Sequence, residues 1–271
     1  MKILFFCPRW GAESEPWDKF CERVRAAGYD GVETGLPVGD RAETDVILAS
    51  LQKHGLALIA QHWETSTPRW AEYATEYKRR LEWLTACRPL FVNSQTGKDW
   101  FTFEENQALI RVAHDEAARS GVRVLHETHR GKFAFAAAVA RRFLAEDPKL
   151  RITADFSHWC TVSESLLGDQ PEALDVAISR ADHLHARVGH AEGPQASDPA
   201  APEWAEALSC HLTWWDRIAD RHRKAGADAL TVTPEAGPVP YMPGLPYTKQ
   251  PVADQWTVNI DMMEMLRRRW A

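Results

Sequence analysis

The feature that most constrains this chain is a switch of hydrophobic period that recurs eight times. Short apolar or β-branched runs occupy 2–8, 30–36, 57–64, 90–97, 122–129, 151–158, 182–189 and 229–237. A longer amphipathic stretch follows each run, as in "EPWDKFCERVRAAG", "RAETDVILASLQKHG" and "ENQALIRVAHDEAARSG". Several of these stretches end on glycine, and "FAFAAAVARRFLAEDP" ends on a proline stop. Strands separated by helices of this length imply right-handed βαβ units and a parallel sheet. Eight such units without a linker predict an α/β fold of one class, the (β/α)8 TIM barrel, as a single domain over residues 1–271. A doubly wound sheet is the competing architecture. It calls for a glycine-rich phosphate turn after the first strand, whereas "PRWGAESEP" follows here with one glycine.

Composition narrows the function classes. With 271 residues and 45% hydrophobic content, the chain can bury a sizeable core. A formal net charge of −6 argues against a nucleic-acid partner, which calls for a basic face. Five cysteines without CxxC spacing read as reduced thiols in a cytoplasmic protein. No apolar run reaches membrane-spanning length, and "MKILFFCPRW" is too short for a signal segment. Twelve tryptophans exceed ordinary core needs only slightly, leaving a few for stacking on a sugar. Two loops, 188–203 and 236–252, are long and rich in Pro, Ala, Gly or Tyr, which suits lids or substrate walls.

The strand ends carry the chemistry. In a barrel, the C-terminal ends of all strands open onto one mouth. The fifth run ends "VLHETHRG", with Glu127 at its tip. The sixth ends at Asp155, with His158 three residues on. The seventh holds His183 and His185 on one side, with Arg187 in phase, and the eighth ends at Glu235. The third supplies His62. Singly, each has an ordinary reading: Glu127 pairs with Arg130, Glu235 makes a loop hydrogen bond, and His114 and His222 are solvated helix residues. Together, carboxylates on successive strand ends repel one another unless a cation lies between them. The arrangement therefore predicts a divalent-metal site.

These motifs resemble those of the xylose isomerase-like barrels, which include sugar-phosphate isomerases and epimerases, ketose 3-epimerases, hydroxypyruvate isomerases, inosose dehydratases and endonuclease IV. The likeness is sharpest in "HETHRG", "DFSHW", "HLHARVGH" and "TPEAGP". It implies Glu127, Asp155, His185 and Glu235 as metal ligands, with His158 and Arg187 as substrate contacts and His158 also eligible for a second metal. His62, Glu33 and His129 stand as further substrate-binding candidates. Departures are informative. The strand-four histidine of endonuclease IV is replaced by "NSQTG", and its later D-x-H is absent, with Pro199 and Ala200 after Asp198. A trinuclear zinc cluster and cleavage of abasic DNA are therefore not expected. The ketose epimerases carry a further glutamate shortly after the strand-five ligand, where this chain has His129 and Arg130. That change raises the case for an anionic substrate.

Three carboxylates and one imidazole form a hard ligand set that suits Mn²⁺ or Mg²⁺ and accommodates Co²⁺, Fe²⁺ or Zn²⁺. The expected activity is a metal-dependent isomerase or epimerase of carbohydrate metabolism, acting on a small keto sugar through an enediolate. Glu127 and Glu235 would be the proton carriers. A lyase or dehydratase, a metal-dependent hydrolase, and a barrel that only binds a sugar remain alternatives on the same residues. A small-molecule sugar partner is expected, with neither nucleic acid nor membrane, and a homo-oligomer is compatible with the composition.

Overall fold

A computed structural model describes residues 1–271. Eight parallel strands close into a barrel in sequence order, with the first and last paired. They are β1 (Lys2–Pro8), β2 (Gly31–Thr34), β3 (Ala57–His62), β4 (Val92–Ser94), β5 (Val124–Glu127), β6 (Ile152–Ala154), β7 (Ala181–His185) and β8 (Ala229–Thr233). The helices are α1 (Trp17–Ala26), α2 (Arg41–Lys53), α3 (Trp70–Ala86), α4 (Phe103–Ser120), α5 (Ala137–Glu146), α6 (Ser157–Ser163), α7 (Pro171–Arg180), α8 (Ala205–Lys224) and α9 (Gln255–Arg269). The chain is thus a (β/α)8 barrel. No helix is long and apolar enough to cross a membrane.

Local chemistry sets the helix boundaries. Thr102 and Glu105 form a reciprocal capping box at the start of α4, and Gly121 ends that helix with φ of 75°. Asp40 and Asp254 cap α2 and α9 through their side chains. The strands are shorter than the apolar runs suggest; β4 and β6 span three residues each. One consequence corrects the sequence reading: His158 is not on a strand extension but in the first turn of α6. A second concerns His222, which is buried with Nε2 2.9 Å from the Ala181 carbonyl oxygen rather than solvated.

The main core lies between barrel and helices. A smaller cluster, Phe6, Ile59, Phe91 and Leu125, fills the inside of the barrel. Gly31 makes that packing feasible, since a Cβ there would stand 2.3 Å from Phe6 Cε1 and 2.4 Å from the Ala57 carbonyl oxygen. Toward the C-terminal ends of the strands, the interior turns polar: Glu33, Asn93, Glu127, His183, His185 and Thr233 are all buried there.

Candidate metal centre

Glu127 and His185 are the last residues of β5 and β7, Asp155 directly follows β6, and Glu235 lies two residues beyond β8. One donor atom from each of these four falls within 4.8 Å of all the others. His185 Nδ1 is 2.7 Å from Glu235 Oε2, and 3.9 Å from both Glu127 Oε1 and Asp155 Oδ2. The close approach to Glu235 lacks hydrogen-bond geometry: His185 Nδ1 and Glu235 Oε2 are both buried without a hydrogen-bond partner. Orphaned buried atoms of this kind are costly. Here a donor nitrogen and a donor oxygen face a shared space with two more carboxylates around it. The residues therefore fit a divalent cation.

The ring behind the donors holds them in place. His185 Nε2 lies 3.0 and 3.2 Å from the two Glu33 oxygens. Glu33 also meets His183 Nε2 at 3.1 Å, and accepts from Asn93 Nδ2 at 2.7 Å and Thr233 Oγ1 at 2.5 Å. With Nε2 turned to Glu33, the Nδ1 of His185 is the nitrogen presented to the site. Asn93 and Gln95 donate to Glu127 at 3.2 and 3.3 Å. Ser157 donates through its backbone N–H to Asp155 Oδ1 at 3.1 Å and through its hydroxyl to the same oxygen.

Burial and charge push the groups in different directions. Burial raises Glu127 to about 8, with His185 opposing and Glu235 and Asp155 adding to the rise. Burial likewise raises Asp155, against the pull of Arg187. Glu235 goes down, because its close contact with His185, together with Arg187, outweighs burial. His185 goes up despite burial, because Glu235, Glu33 and Glu127 surround it. A cation among these groups competes with protons for the same donor atoms, so its binding is linked to pH.

Two of the four donors, Glu127 and Glu235, open onto a cavity of about 560 Å³, which Asp155 and His185 do not line. Glu127, Glu235, His129 and Arg187 line it. Arg187 also neutralises the site, pairing with Asp155 and lying 3.4 Å from Glu235 Oε2. Other sequence candidates fall elsewhere. Glu33 lies beneath the donors and braces His185, which corrects its reading as a substrate contact. His62 is fully buried, with both ring nitrogens taken by Ser94 at 3.0 Å and Thr65 at 2.7 Å, so it is a wall residue. His158 does not line the cavity but lies 2.8 Å from Arg187 Nη2. Together with Glu127 and His129 it forms one of two further groups close enough to share a cation, the other being Glu33, His183 and His185. The suggested Glu127–Arg130 pair does not form, since Arg130 lies over the Tyr241 ring instead.

Sequence reading missed much of the upper wall. Trp10 and Glu13 follow β1, Gly35 to Pro37 follow β2, and Trp63 and Glu64 follow β3. Of the two long loops, 236–252 reaches the cavity through Tyr241. The 188–203 loop does not line it, and instead Gln195 clamps Gly237 by hydrogen bonds of 2.7 and 3.1 Å. That loop is a brace rather than a wall.

No family model and no curated protein matches the chain. Solved structures do. A D-allulose 3-epimerase from Methylomonas sp. is 14% identical, with 99% of this chain and 97% of that one covered and a TM-score of 0.65. A xylose isomerase domain-containing protein from Salmonella typhimurium is 14% identical over 98% and 96% of the two chains, with a TM-score of 0.64. A probable 3-DHS dehydratase from Bacillus anthracis is 17% identical over 99% and 100%, with a TM-score of 0.61. At such identities the shared property is architecture: the chain has the same (β/α)8 barrel fold as these structures.

Proposed function

We propose that this protein is a divalent-metal-dependent isomerase or epimerase of a small keto sugar or related hydroxy-ketone. The observation that carries the reading is the convergence of Glu127, Asp155, His185 and Glu235, with two unpartnered donor atoms, beside a cavity of sugar size that Glu127 and Glu235 line. Mn²⁺ or Mg²⁺ suits the ligand set best. The cation, when bound, supplies polarisation of the substrate carbonyl and stabilisation of the enediolate.

The chain's own residues supply the rest. Glu127 and Glu235 come from β5 and the end of β8, on different sides of the mouth, and both line the cavity. One removes the proton next to the carbonyl, and the other returns a proton to the opposite face or the neighbouring carbon. Asn93 and Gln95 hold Glu127 through its carboxylate oxygens, which fixes where its proton is delivered. Arg187 is placed to bind a substrate oxygen from the cavity wall. Trp10, Trp63 and Tyr241 give the cavity an aromatic lining that limits water at the reacting carbons.

A dehydratase uses the same first step, with the enediolate expelling a hydroxyl, and the likeness to a probable dehydratase keeps that reading next in line. The test is incubation of the Mn²⁺-loaded protein with a ketose panel in deuterated water. An isomer or epimer carrying solvent deuterium at the carbon next to the carbonyl is expected. Turnover without deuterium would refute enolisation, and an unsaturated, dehydrated product would move the assignment to a lyase.

A further inference from the structure

The donors occupy one half of the barrel mouth, and the other half has no part in the proposed proton transfers. Glu127, Asp155, His185 and Glu235 come from the ends of β5 to β8. The strands close in sequence order, so β1, β2 and β3 stand across the mouth from β5, β6 and β7. Residues of both halves line the cavity. Cavities of roughly 300–1,000 Å³ take ligands of drug size. At about 560 Å³, this one has room beyond a single hexulose.

Two tryptophans and two carboxylates furnish the far half. Trp10 and Glu13 follow β1, Trp63 and Glu64 follow β3, and all four line the cavity. Trp63 is 55% exposed, so the fold's own packing leaves this indole largely uncovered. Trp10 is seated by a close approach instead. A Cβ on Gly237 would stand 2.2 Å from Trp10 Cη2 and 2.3 Å from Cζ3. The backbone there is fixed. Gln195 bonds both the N–H and the carbonyl oxygen of Gly237, at 2.7 and 3.1 Å, and Asn259 does the same for Ala236, at 2.7 and 3.0 Å. Gln255 Nε2 then donates to the carbonyl oxygens of both Ala236 and Trp10, at 2.9 and 2.8 Å. The missing Cβ and these amide clamps set where the Trp10 indole borders the cavity.

The carboxylates set the polarity of this half. Glu64 uses only Oε2 within the protein, toward the Trp63 N–H at 3.1 Å and Arg80 at 3.7 Å. Arg9, the cation on the same wall, is taken up by the loop: its guanidinium lies 4.3 Å from the Trp17 and Phe20 ring centroids and donates to the Glu13 carbonyl oxygen at 3.2 Å. Indoles beside carboxylates suit a neutral sugar ring. Its C–H surface leaves water against the aromatic rings, and its hydroxyls donate to the carboxylates. A phosphate there would meet like charge.

We infer that the β1–β3 half of the mouth is a second sugar subsite, and that the substrate is a keto sugar carrying a glycosyl group, its ketose end at the donors and its second ring against Trp10 and Trp63. This inference rests on the proposed reading of the site and narrows its substrate class from a bare ketose to a ketose disaccharide. Trp63 is then a specificity-determining residue, and Gly237 is one through Trp10.

The test is calorimetric titration of the Mn²⁺-loaded protein with three probes, D-fructose, lactulose and isomaltulose, with bound Mn²⁺ counted in parallel. The two disaccharides attach the second ring at different positions of the same ketose. At least one of them should bind at least about tenfold more tightly than D-fructose, as expected when a further ring is buried against indole. The preference should fall to near unity in Trp63→Ala, recover in part in Trp63→Phe and shrink in Gly237→Ala, all at unchanged Mn²⁺ occupancy. Equal affinity for all three probes, absence of saturable binding by both disaccharides, or a preference that survives Trp63→Ala would overturn the assignment. If Gly237→Ala does not fold, the wild-type comparison and the exposed Trp63 still decide. Disaccharide preference without any product would refute the isomerase reading alone. Turnover of D-fructose without disaccharide preference would refute this inference alone.

Discussion

Glu33 is the residue whose replacement tests the metal centre most directly, because it touches no proposed substrate position. It lies 3.0 Å from His185 Nε2, and Asn93, His183 and Thr233 also converge on it. Glu33→Gln keeps the shape but loses the charge and half of the accepting capacity. His185 then no longer has a carboxylate to fix its tautomer and raise the basicity of Nδ1. Loss of such a supporting carboxylate typically weakens metal affinity about 10- to 100-fold, which corresponds to about 1.4–2.8 kcal/mol. The same substitution strands at least one buried donor, at about 1–3 kcal/mol of folding stability. Competition between the protein and a Mn²⁺ indicator, at fixed pH and with circular dichroism confirming the fold, gives the affinity directly. A folded Glu33→Gln protein with a Mn²⁺ dissociation constant within about twofold of wild type would refute the claim that this carboxylate orients His185, since the claim requires about tenfold or more.

Four further outcomes are expected. Asp155→Asn should lower Mn²⁺ affinity but recover turnover with excess metal, whereas Glu127→Gln and Glu235→Gln should lose about 10²–10⁴-fold in kcat without rescue; a metal titration of kcat separates them, and rescue of both glutamate variants would exclude their proton-transfer role. Burial lowers His62 and His126 to about 3 from an ordinary 6.5, so the unfolded chain takes up protons first. Stability should hold above about pH 6.5 and then fall by about 1.4 kcal/mol per pH unit for each histidine toward pH 3; denaturant unfolding at pH 7 and pH 5 checks this, and a flat profile would contradict it. Gly31→Ala should destabilise by about 1–3 kcal/mol through its clash with Phe6 and the Ala57 carbonyl, measurable in the same denaturant series, with wild-type stability refuting the packing argument. Hydrogen exchange should slow around Tyr241 on ligand binding while the 188–203 brace, which does not line the cavity, changes little; equal slowing of both loops would show that they close together.

Much of the architecture was present in the sequence because its rules are local. An alternation of strand and helix periods needs only neighbouring residues to be read, and parallel strands joined by helices all deliver their C-terminal ends to one face. Glu127, Asp155, His185 and Glu235 could be picked out for that reason: each is defined by its place at the end of its own strand. What strand ends cannot specify is which side chains meet across the barrel. Glu33 and His183 are 150 residues apart, and Glu33 and Thr233 are 200 apart. Their contact depends on closure of β1 against β8 and on the stagger between strands, which no single strand encodes. Hence Glu33 looked like a substrate contact and proved to be a brace, and Asn93 and Gln95 stood out only as a missing histidine's surroundings. His62 reached the correct end of its strand, but its imidazole is spent on Ser94 and Thr65. Loop roles were equally hidden, since composition marks 188–203 and 236–252 alike while only packing separates the brace from the wall carrying Tyr241. The chain thus announces in one dimension which strand ends carry donors, and the closed, staggered barrel decides which of them face one another, because that depends on distances between strands far apart in sequence.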